Sequence, residues 1–168
     1  MDLNKLLEKS VHSSFWLWIT NRILWWKIPF NAPHAIRISA LDTNSITMTL
    51  PFRRRNKNHI NSMHACALAT TCEYVTGLQL ARCLNADQYR LILREIKMEY
   101  TWQAKMDVTV KFQFSSKDAE EQILNVLQTE TSVVKTMQAD VKNLKDELVC
   151  RGFITWQIKK WENVRTKL

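Results

Sequence analysis

The sequence predicts an α+β domain, in which an antiparallel sheet wraps around one long central helix and an extra helix precedes the sheet. Six segments alternate apolar and polar residues with a period of two, which is typical of half-buried strands. Residues 65–81 carry a single charge, at Glu73, and such a stretch predicts a helix that is apolar on all sides and therefore buried. The 168 residues include only two glycines, Gly77 and Gly152, which excludes a glycine-rich nucleotide-binding loop.

Residues 2–26 predict one amphipathic N-terminal helix, because apolar side chains recur at steps of three and four and Pro29 follows. Four of the seven tryptophans lie in its second half, beside Arg22 and Lys27. Helices that lie on membranes combine tryptophan with basic residues, but the polar side of this helix is not rich in lysine. We therefore expect it to pack onto the domain or onto a partner subunit rather than onto a membrane.

The remaining elements follow in a fixed order. The predicted strands span 36–40, 46–52, 96–102, 108–114, 132–142 and 147–160, and the central helix lies between the second and third. Gly77 inside that helix suggests the close approach of another backbone. A short helix near 118–129 has Ser116 as its expected cap. We divide the chain into an N-terminal helical extension, 1–28, and one domain, 29–168.

Clean alternation implies an antiparallel sheet with one face covered, and only the 65–81 helix can cover it. Within the 96–102 strand, Ile96, Met98, Tyr100 and Trp102 share one face. Most other aromatic residues also alternate into predicted core faces. The sheet therefore leaves no aromatic platform of the kind that binds nucleic acid, and we expect no nucleic-acid partner.

Positive charge is concentrated in one loop. The net charge is +8, and Arg53, Arg54, Arg55 and Lys57 supply half of it. Such a cluster attracts phosphates, whether on nucleic acid, on lipid headgroups or on a phosphorylated small molecule. A solvated loop with no ligand is the alternative.

We do not expect the first residues to be a signal peptide, because they include Asp2 and Glu8 and lack a small-residue cleavage site. No uncharged run reaches the length of a membrane span. The four cysteines show neither a C-x-x-C pair nor the spacing of a secreted disulfide framework. We therefore expect a cytoplasmic protein.

Glu73 is the residue most suggestive of chemistry. A carboxylate within an apolar helix has to be paired, hydrogen-bonded or raised in pKa, since the burial of an uncompensated charge is expensive. Its neighbours one turn away are mostly small, which leaves room for a ligand or a second helix. The alternative is a structural glutamate that binds backbone or an arginine.

His64 begins the same helix, where the first backbone N–H groups are unpaired and can hold a carbonyl oxygen as it gains negative charge. His64 and Glu73 are nine residues apart and lie on opposite sides of the helix. A working pair would therefore need Glu73 of one subunit and the loop of another. A metal site from His59, His64 and Cys66 has no recognised spacing and no fourth ligand, so no metal is expected.

The run from Asn58 to Tyr74 (NHINSMHACALATTCEY) resembles the signature of the hotdog-fold thioesterases. That signature is an asparagine, a His-Gly-Gly or His-Ala-Gly triplet six residues later, and a helical Asp or Glu nine residues beyond the histidine. The chain is most similar to the phenylacetate-degradation type and to a related branch of unknown function. The resemblance spans residues 29–160, and its specific part is 51–81.

The resemblance implies a hotdog fold and an acyl-CoA or acyl-carrier-protein thioesterase that works as a homodimer or tetramer. Glu73 would be the catalytic carboxylate, as nucleophile or as the base that activates water. The backbone N–H near Ala65 or Cys66 would polarise the thioester carbonyl, and Asn58 and His64 would position the thioester or the water. No separate cofactor is implied, because coenzyme A enters as part of the substrate.

The basic cluster gains a candidate role from the same resemblance. The side chains that would meet the phosphates of coenzyme A are Arg53, Arg54, Arg55 and Lys57. The family's two glycines after the histidine are Ala65 and Cys66 in this sequence, which motivates a second hypothesis, a non-catalytic acyl-binding module on the same fold. A hotdog dehydratase is a third, because it too pairs a histidine with a carboxylate across a dimer.

Overall fold

The computed structural model describes residues 3–164, so the predicted helix start at residue 2 and the last residues of the predicted domain, 165–168, lie outside the described residues. The predicted helical segment at the N-terminus is present, but it is not one continuous helix. The chain forms two helices, α1 (Leu3–Val11) and α2 (Ser14–Lys27). Ser13 between them is extended, and its hydroxyl accepts a hydrogen bond from the Trp16 N–H at 3.4 Å, so it caps the second helix.

The six predicted strands form one antiparallel sheet. They are β1 (Arg37–Leu41), β2 (Ser45–Leu50), β3 (Tyr89–Tyr100), β4 (Val108–Gln113), β5 (Val133–Asn143) and β6 (Leu148–Lys160). Their order across the sheet is β1-β2-β4-β5-β6-β3, so β1 and β3 are the edges. Only the third strand departs clearly from its predicted bounds, because it begins at residue 89 rather than 96.

The central helix α3 (Ala65–Cys83) packs against β2, β3, β4, β5 and β6, so the sheet wraps around it as predicted. Its buried apolar side chains include Leu68, Val75 and Leu80. The buried hydroxyl of Thr71 donates to the Ala67 carbonyl at 2.8 Å, which satisfies a polar group that the core would otherwise penalise. The mixed α+β architecture of the prediction is confirmed.

Two local predictions are corrected. Ser115 rather than Ser116 caps the short helix α4 (Ser116–Ala119), because its hydroxyl and the Asp118 carboxylate form a reciprocal capping box. After Ala119 the chain continues as a π-helical turn and a 3-10 turn instead of a regular helix to 129.

The burial of strand β3 also differs from the prediction. The face that Ile96 and Tyr100 share was expected in the core, but these side chains are 38% and 49% exposed. Trp102 lies beyond the strand end and is 77% exposed. β3 is an edge strand that pairs only with β6. The alternation of apolar and polar residues along β3 therefore does not indicate which of its side chains are buried within this chain.

Both glycines allow close packing between α3 and β6. A Cβ atom on Gly77 would lie 2.8 Å from a ring carbon of Trp156. The group that packs closely against Gly77 is therefore an indole ring, whereas the sequence predicts another backbone. A Cβ atom on Gly152 would lie 2.9 Å from the Cys72 Cβ. The two glycines are therefore explained by the contact between helix and sheet rather than by turns.

Gly77→Ala is expected to destabilise the protein by up to about 2 kcal/mol. The gain in helix propensity of about 1 kcal/mol is outweighed by overpacking of about 1–3 kcal/mol. The indole cannot easily move away, because Trp156 is buried and its Nε1–H donates to the Thr76 hydroxyl at 3.1 Å. Chemical denaturation measures the change.

Trp156→Phe supplies the matched control for Gly77→Ala, because it removes the two ring carbons nearest to the added Cβ. In that background the Gly77→Ala substitution should cost less than in the wild-type chain. Equal costs in the two backgrounds would show that Trp156 is not the cause.

Candidate active site

Glu73 lies on α3, and the helix leaves its side chain half-buried. Among residues 3–164, the carboxylate of Glu73 has no hydrogen-bond or ion-pair partner. The Thr76 hydroxyl donates to the backbone carbonyl of Glu73 at 3.0 Å and does not reach the carboxylate. Burial raises the pKa of Glu73 above the usual value for a glutamate. The alternative of a structural glutamate, satisfied by backbone or by arginine, therefore finds no support in the described part of the chain.

A cavity of about 300 Å³ opens beside Glu73. Its wall is almost entirely apolar and is built from both N-terminal helices, α3 and the sheet: Leu3, Leu24, Lys27, Ile28, Glu73, Tyr74, Gly77, Leu78, Ala81, Leu91 and Trp156. Gly77, one of the small neighbours expected one turn from Glu73, lines the cavity, and Ala81, about two turns from Glu73, lines it as well. The arrangement brings a carboxylate of raised pKa together with space for a hydrocarbon group.

His64 caps the N-terminus of α3. Its Nδ1 accepts a hydrogen bond from the Cys66 N–H at 3.1 Å, and the side chain is exposed. The neutral ring therefore carries its proton on Nε2, which is directed away from this bond. This bond distinguishes the two backbone N–H groups that were candidates to polarise a carbonyl. The Cys66 N–H is occupied by His64, while the Ala65 N–H has no acceptor among residues 3–164.

Asn58 stabilises its own turn. Its side-chain oxygen accepts hydrogen bonds from the Ile60 N–H at 3.1 Å and the Ser62 N–H at 3.0 Å. Asn58, Ala65, Tyr100 and Trp102 help to line a shallow cavity of about 280 Å³ in front of the start of α3. Because the side-chain oxygen of Asn58 is occupied, the amide nitrogen of Asn58 is the group that remains for a ligand.

Asn56 is a site residue that no pattern in the sequence singles out. It is fully buried, and its side-chain nitrogen donates to the carbonyls of His34 and Pro51 at 2.9 and 2.8 Å. Its own carbonyl accepts the His64 N–H at 2.7 Å. Asn56 thus fixes the basic loop to the start of α3, a role that no spacing in the sequence signals.

The basic cluster divides into two pairs. Arg53 donates to the Pro33 carbonyl, and the Lys57 ammonium lies 4.1 Å from the centre of the Phe52 ring. Arg54 and Arg55 are exposed, and within the described residues they form no ion pair. These two guanidinium groups are therefore available to an anionic ligand.

The structure keeps the two halves of the predicted site apart within one chain. Nine residues of helix separate His64 and Glu73 by about 13 Å along the axis and by half a turn around it. His64 is near the Asn58 loop, while Glu73 faces the cavity under the N-terminal helices. Within residues 3–164, no three His, Cys, Asp or Glu side chains converge as a metal site would require, and no helix is long and apolar enough to cross a bilayer.

A family model described as "Domain of unknown function (DUF4442)" matches residues 17–158 of the chain. No curated protein matches the sequence.

Solved structures match over most of the chain. A Pseudomonas aeruginosa protein of unknown function, described as a probable thioesterase, shares 20% identity at a TM-score of 0.75 and covers 83% of this chain and 93% of its own. A Haemophilus influenzae thioesterase shares 16% at a TM-score of 0.67, over 86% and 90% of the two chains. A mutant thioesterase from Pseudomonas aeruginosa shares 16% at 0.64, over 95% of each. At these identities the likeness concerns the fold, and it confirms the resemblance to thioesterases of the hotdog type.

Proposed function

The chain belongs to the DUF4442 family, and on that premise we propose that it hydrolyses acyl thioesters of coenzyme A or of an acyl carrier protein at an interface between two copies of itself. One observation carries the proposal: the unpartnered carboxylate of Glu73, with its pKa raised by burial, lines an apolar cavity. A group of this kind is poised to accept a proton next to a bound acyl group.

The exposed edge strand β3 supports the proposal that two copies of the chain pair. β3 is twelve residues long, and its exposed apolar side chains include Ile92, Leu93 and Ile96. A long edge strand with unpaired backbone groups is a template for another strand. Five of the twelve residues of β3 are charged, so the apolar part of this edge is limited to residues such as Ile92, Leu93 and Ile96. A two-fold axis across β3 would continue the sheet into the partner as an antiparallel pair.

This pairing would complete the site across the interface. The Tyr100 hydroxyl at one end of β3 donates to the Ala65 carbonyl at 3.1 Å, so that end lies at the start of α3. Leu91 at the other end lines the Glu73 cavity. Antiparallel pairing brings the Tyr100 end of one strand beside the Leu91 end of its partner, and hence His64 of one subunit toward Glu73 of the other.

In this arrangement the Glu73 carboxylate removes a proton from water while the water oxygen adds to the thioester carbonyl. The Ala65 N–H is the unoccupied donor that holds the resulting oxyanion. When the carbon–sulfur bond breaks, the sulfur takes the proton back from Glu73, and the products are a carboxylic acid and a thiol. Arg54 and Arg55 are the free cations for the phosphates of coenzyme A, while Arg53 and Lys57 hold the loop.

The direct experiment presents the purified protein with a panel of acyl-CoA thioesters and follows the release of free thiol. Turnover supports the proposal. Acyl-CoA binding without turnover identifies the non-catalytic acyl-binding module, which is favoured by one observation, the occupation of the Cys66 N–H by His64. Addition of water to an enoyl thioester identifies a dehydratase instead.

Ala81→Phe is expected to shorten the acyl chain that the protein accepts. Ala81 lines the Glu73 cavity, and a phenyl group there would occupy part of its 300 Å³. For thioesters whose acyl group fills the cavity, kcat/KM should fall by about tenfold or more, while kcat/KM for thioesters of short acyl groups should not change. Ala40→Phe, the same change at an exposed residue of β1, is the matched control. An unchanged chain-length profile would show that the acyl group binds elsewhere.

A further inference from the structure

The N-terminal segment presents an aromatic stripe to solvent, formed by Phe15, Trp18, Trp26 and Phe30. These side chains are 63, 57, 80 and 67% exposed, respectively. The three on α2 lie within one side of the helix, and the opposite side is buried through Thr20 and Leu24. The aromatic stripe is therefore not needed for packing within this chain, and an exposed apolar patch of this kind marks a site of interaction.

Basic residues outnumber acidic ones in the part of the sequence that holds the aromatic stripe, although Glu8 and Glu73 stand at the two ends of that part. Between Lys9 and Cys72 the chain carries eight lysine and arginine residues and a single acid, Asp42. Arg22 lies within the stripe, with its guanidinium 5.3 Å from the centre of the Trp18 ring and 5.2 Å from that of Trp25.

The basic loop adjoins the end of the aromatic stripe. The Phe30 ring lies 5.7 Å from the His34 ring, and Arg53 donates to the carbonyl of the neighbouring Pro33. The Asn56 side chain holds His34 at 3.0 Å, so the two segments are firmly connected. Apolar and cationic groups thus form one continuous surface.

The buried side of α2 packs onto the domain, as expected from the sequence, but its exposed side leads us to depart from the expectation that no membrane is involved. We propose that this surface docks the protein on an anionic lipid membrane, with the aromatic stripe inserted at the level of the headgroups. Exposed tryptophan and phenylalanine favour the boundary between headgroups and acyl chains, and basic residues beside them are attracted to acidic lipids. The convex side of a helix offers no groove for a defined partner, but it fits a fluid surface that adapts to it. The proposal does not depend on the chemistry at Glu73.

Co-sedimentation with vesicles tests the proposal. The full-length protein should sediment with vesicles that contain phosphatidylglycerol and remain in solution with vesicles of phosphatidylcholine alone. Added salt should release it, since screening weakens the attraction between exposed charges. The double variant Trp26→Ala, Phe30→Ala should bind the acidic vesicles at least about tenfold more weakly, because two exposed aromatic groups no longer enter the interface.

Trp102→Ala is the matched control, since Trp102 is as exposed as Trp26 but lies outside the aromatic stripe, and it should leave vesicle binding unchanged. Failure to bind acidic vesicles would overturn the proposal, as would equal binding by the double variant. If neither protein binds vesicles and the double variant dissociates a larger oligomer, the stripe is a subunit interface. Binding to single-stranded RNA without binding to vesicles would identify a nucleic-acid surface instead.

Discussion

Glu73→Gln is expected to lower thioester hydrolysis by at least about 10²-fold, the lower end of what a positioned base contributes. The amide keeps the size of the side chain but cannot accept the proton from water. In the wild-type protein, kcat/KM should fall as the pH drops through the pKa of Glu73, and burial places that pKa above the usual glutamate value. The rate of free thiol release as a function of pH measures both effects.

The same variant should be more stable at neutral pH. A folded-state pKa that is raised above the unfolded value gives stability that is present at low pH and lost as the pH rises through the folded pKa. At neutral pH the buried, unpartnered carboxylate is therefore unfavourable, and Glu73→Gln removes this cost. The unfolding midpoint should rise at pH 7 and change little at low pH.

Glu130→Gln is the matched control, because Glu130 is exposed and lines neither of the two cavities of the proposed site. It should change neither thiol release nor the unfolding midpoint. If Glu73→Gln retained full activity, the mechanism assigned to Glu73 would be wrong, whatever its effect on stability.

Mixing two inactive variants should restore activity if the site is shared between subunits. Glu73→Gln removes the proposed base, and His64→Ala removes the side chain that is expected to position the thioester or the water. Each variant therefore lacks one half of every site in its own homodimer. In a mixed dimer one site lacks both groups and the other is intact, so statistical exchange of subunits should recover about a quarter of the wild-type rate. The experiment requires unfolding and refolding of the mixture, followed by the thiol assay.

A second mixture gives the control for this result. When the double variant Glu73→Gln, His64→Ala is refolded with either single variant, no intact site can form, and no activity should return. An absence of recovery in the first mixture would mean that Glu73 and His64 do not meet across the interface.

The sequence alone determined the number of strands, their antiparallel arrangement and the buried central helix. These features follow from the period of the apolar residues, which each segment carries in itself. The same is true of Glu73, because a lone carboxylate in an apolar helix is visible without any tertiary contact. The catalytic roles of Glu73, His64 and Asn58 remain predictions.

Other features depend on residues that are distant in the sequence. β3 is exposed because it lies at the edge of the sheet. That position is decided by the order of the strands and cannot be read from the residues of β3 itself. The cavity beside Glu73 needs walls from α1, α2 and β6, and the role of Asn56 needs the carbonyls of His34 and Pro51. Likewise, only the geometry at the start of α3 decided that His64 occupies the Cys66 N–H and leaves the Ala65 N–H open. Periodicity reports which side of an element is apolar, whereas the packing of separate elements decides what that side meets.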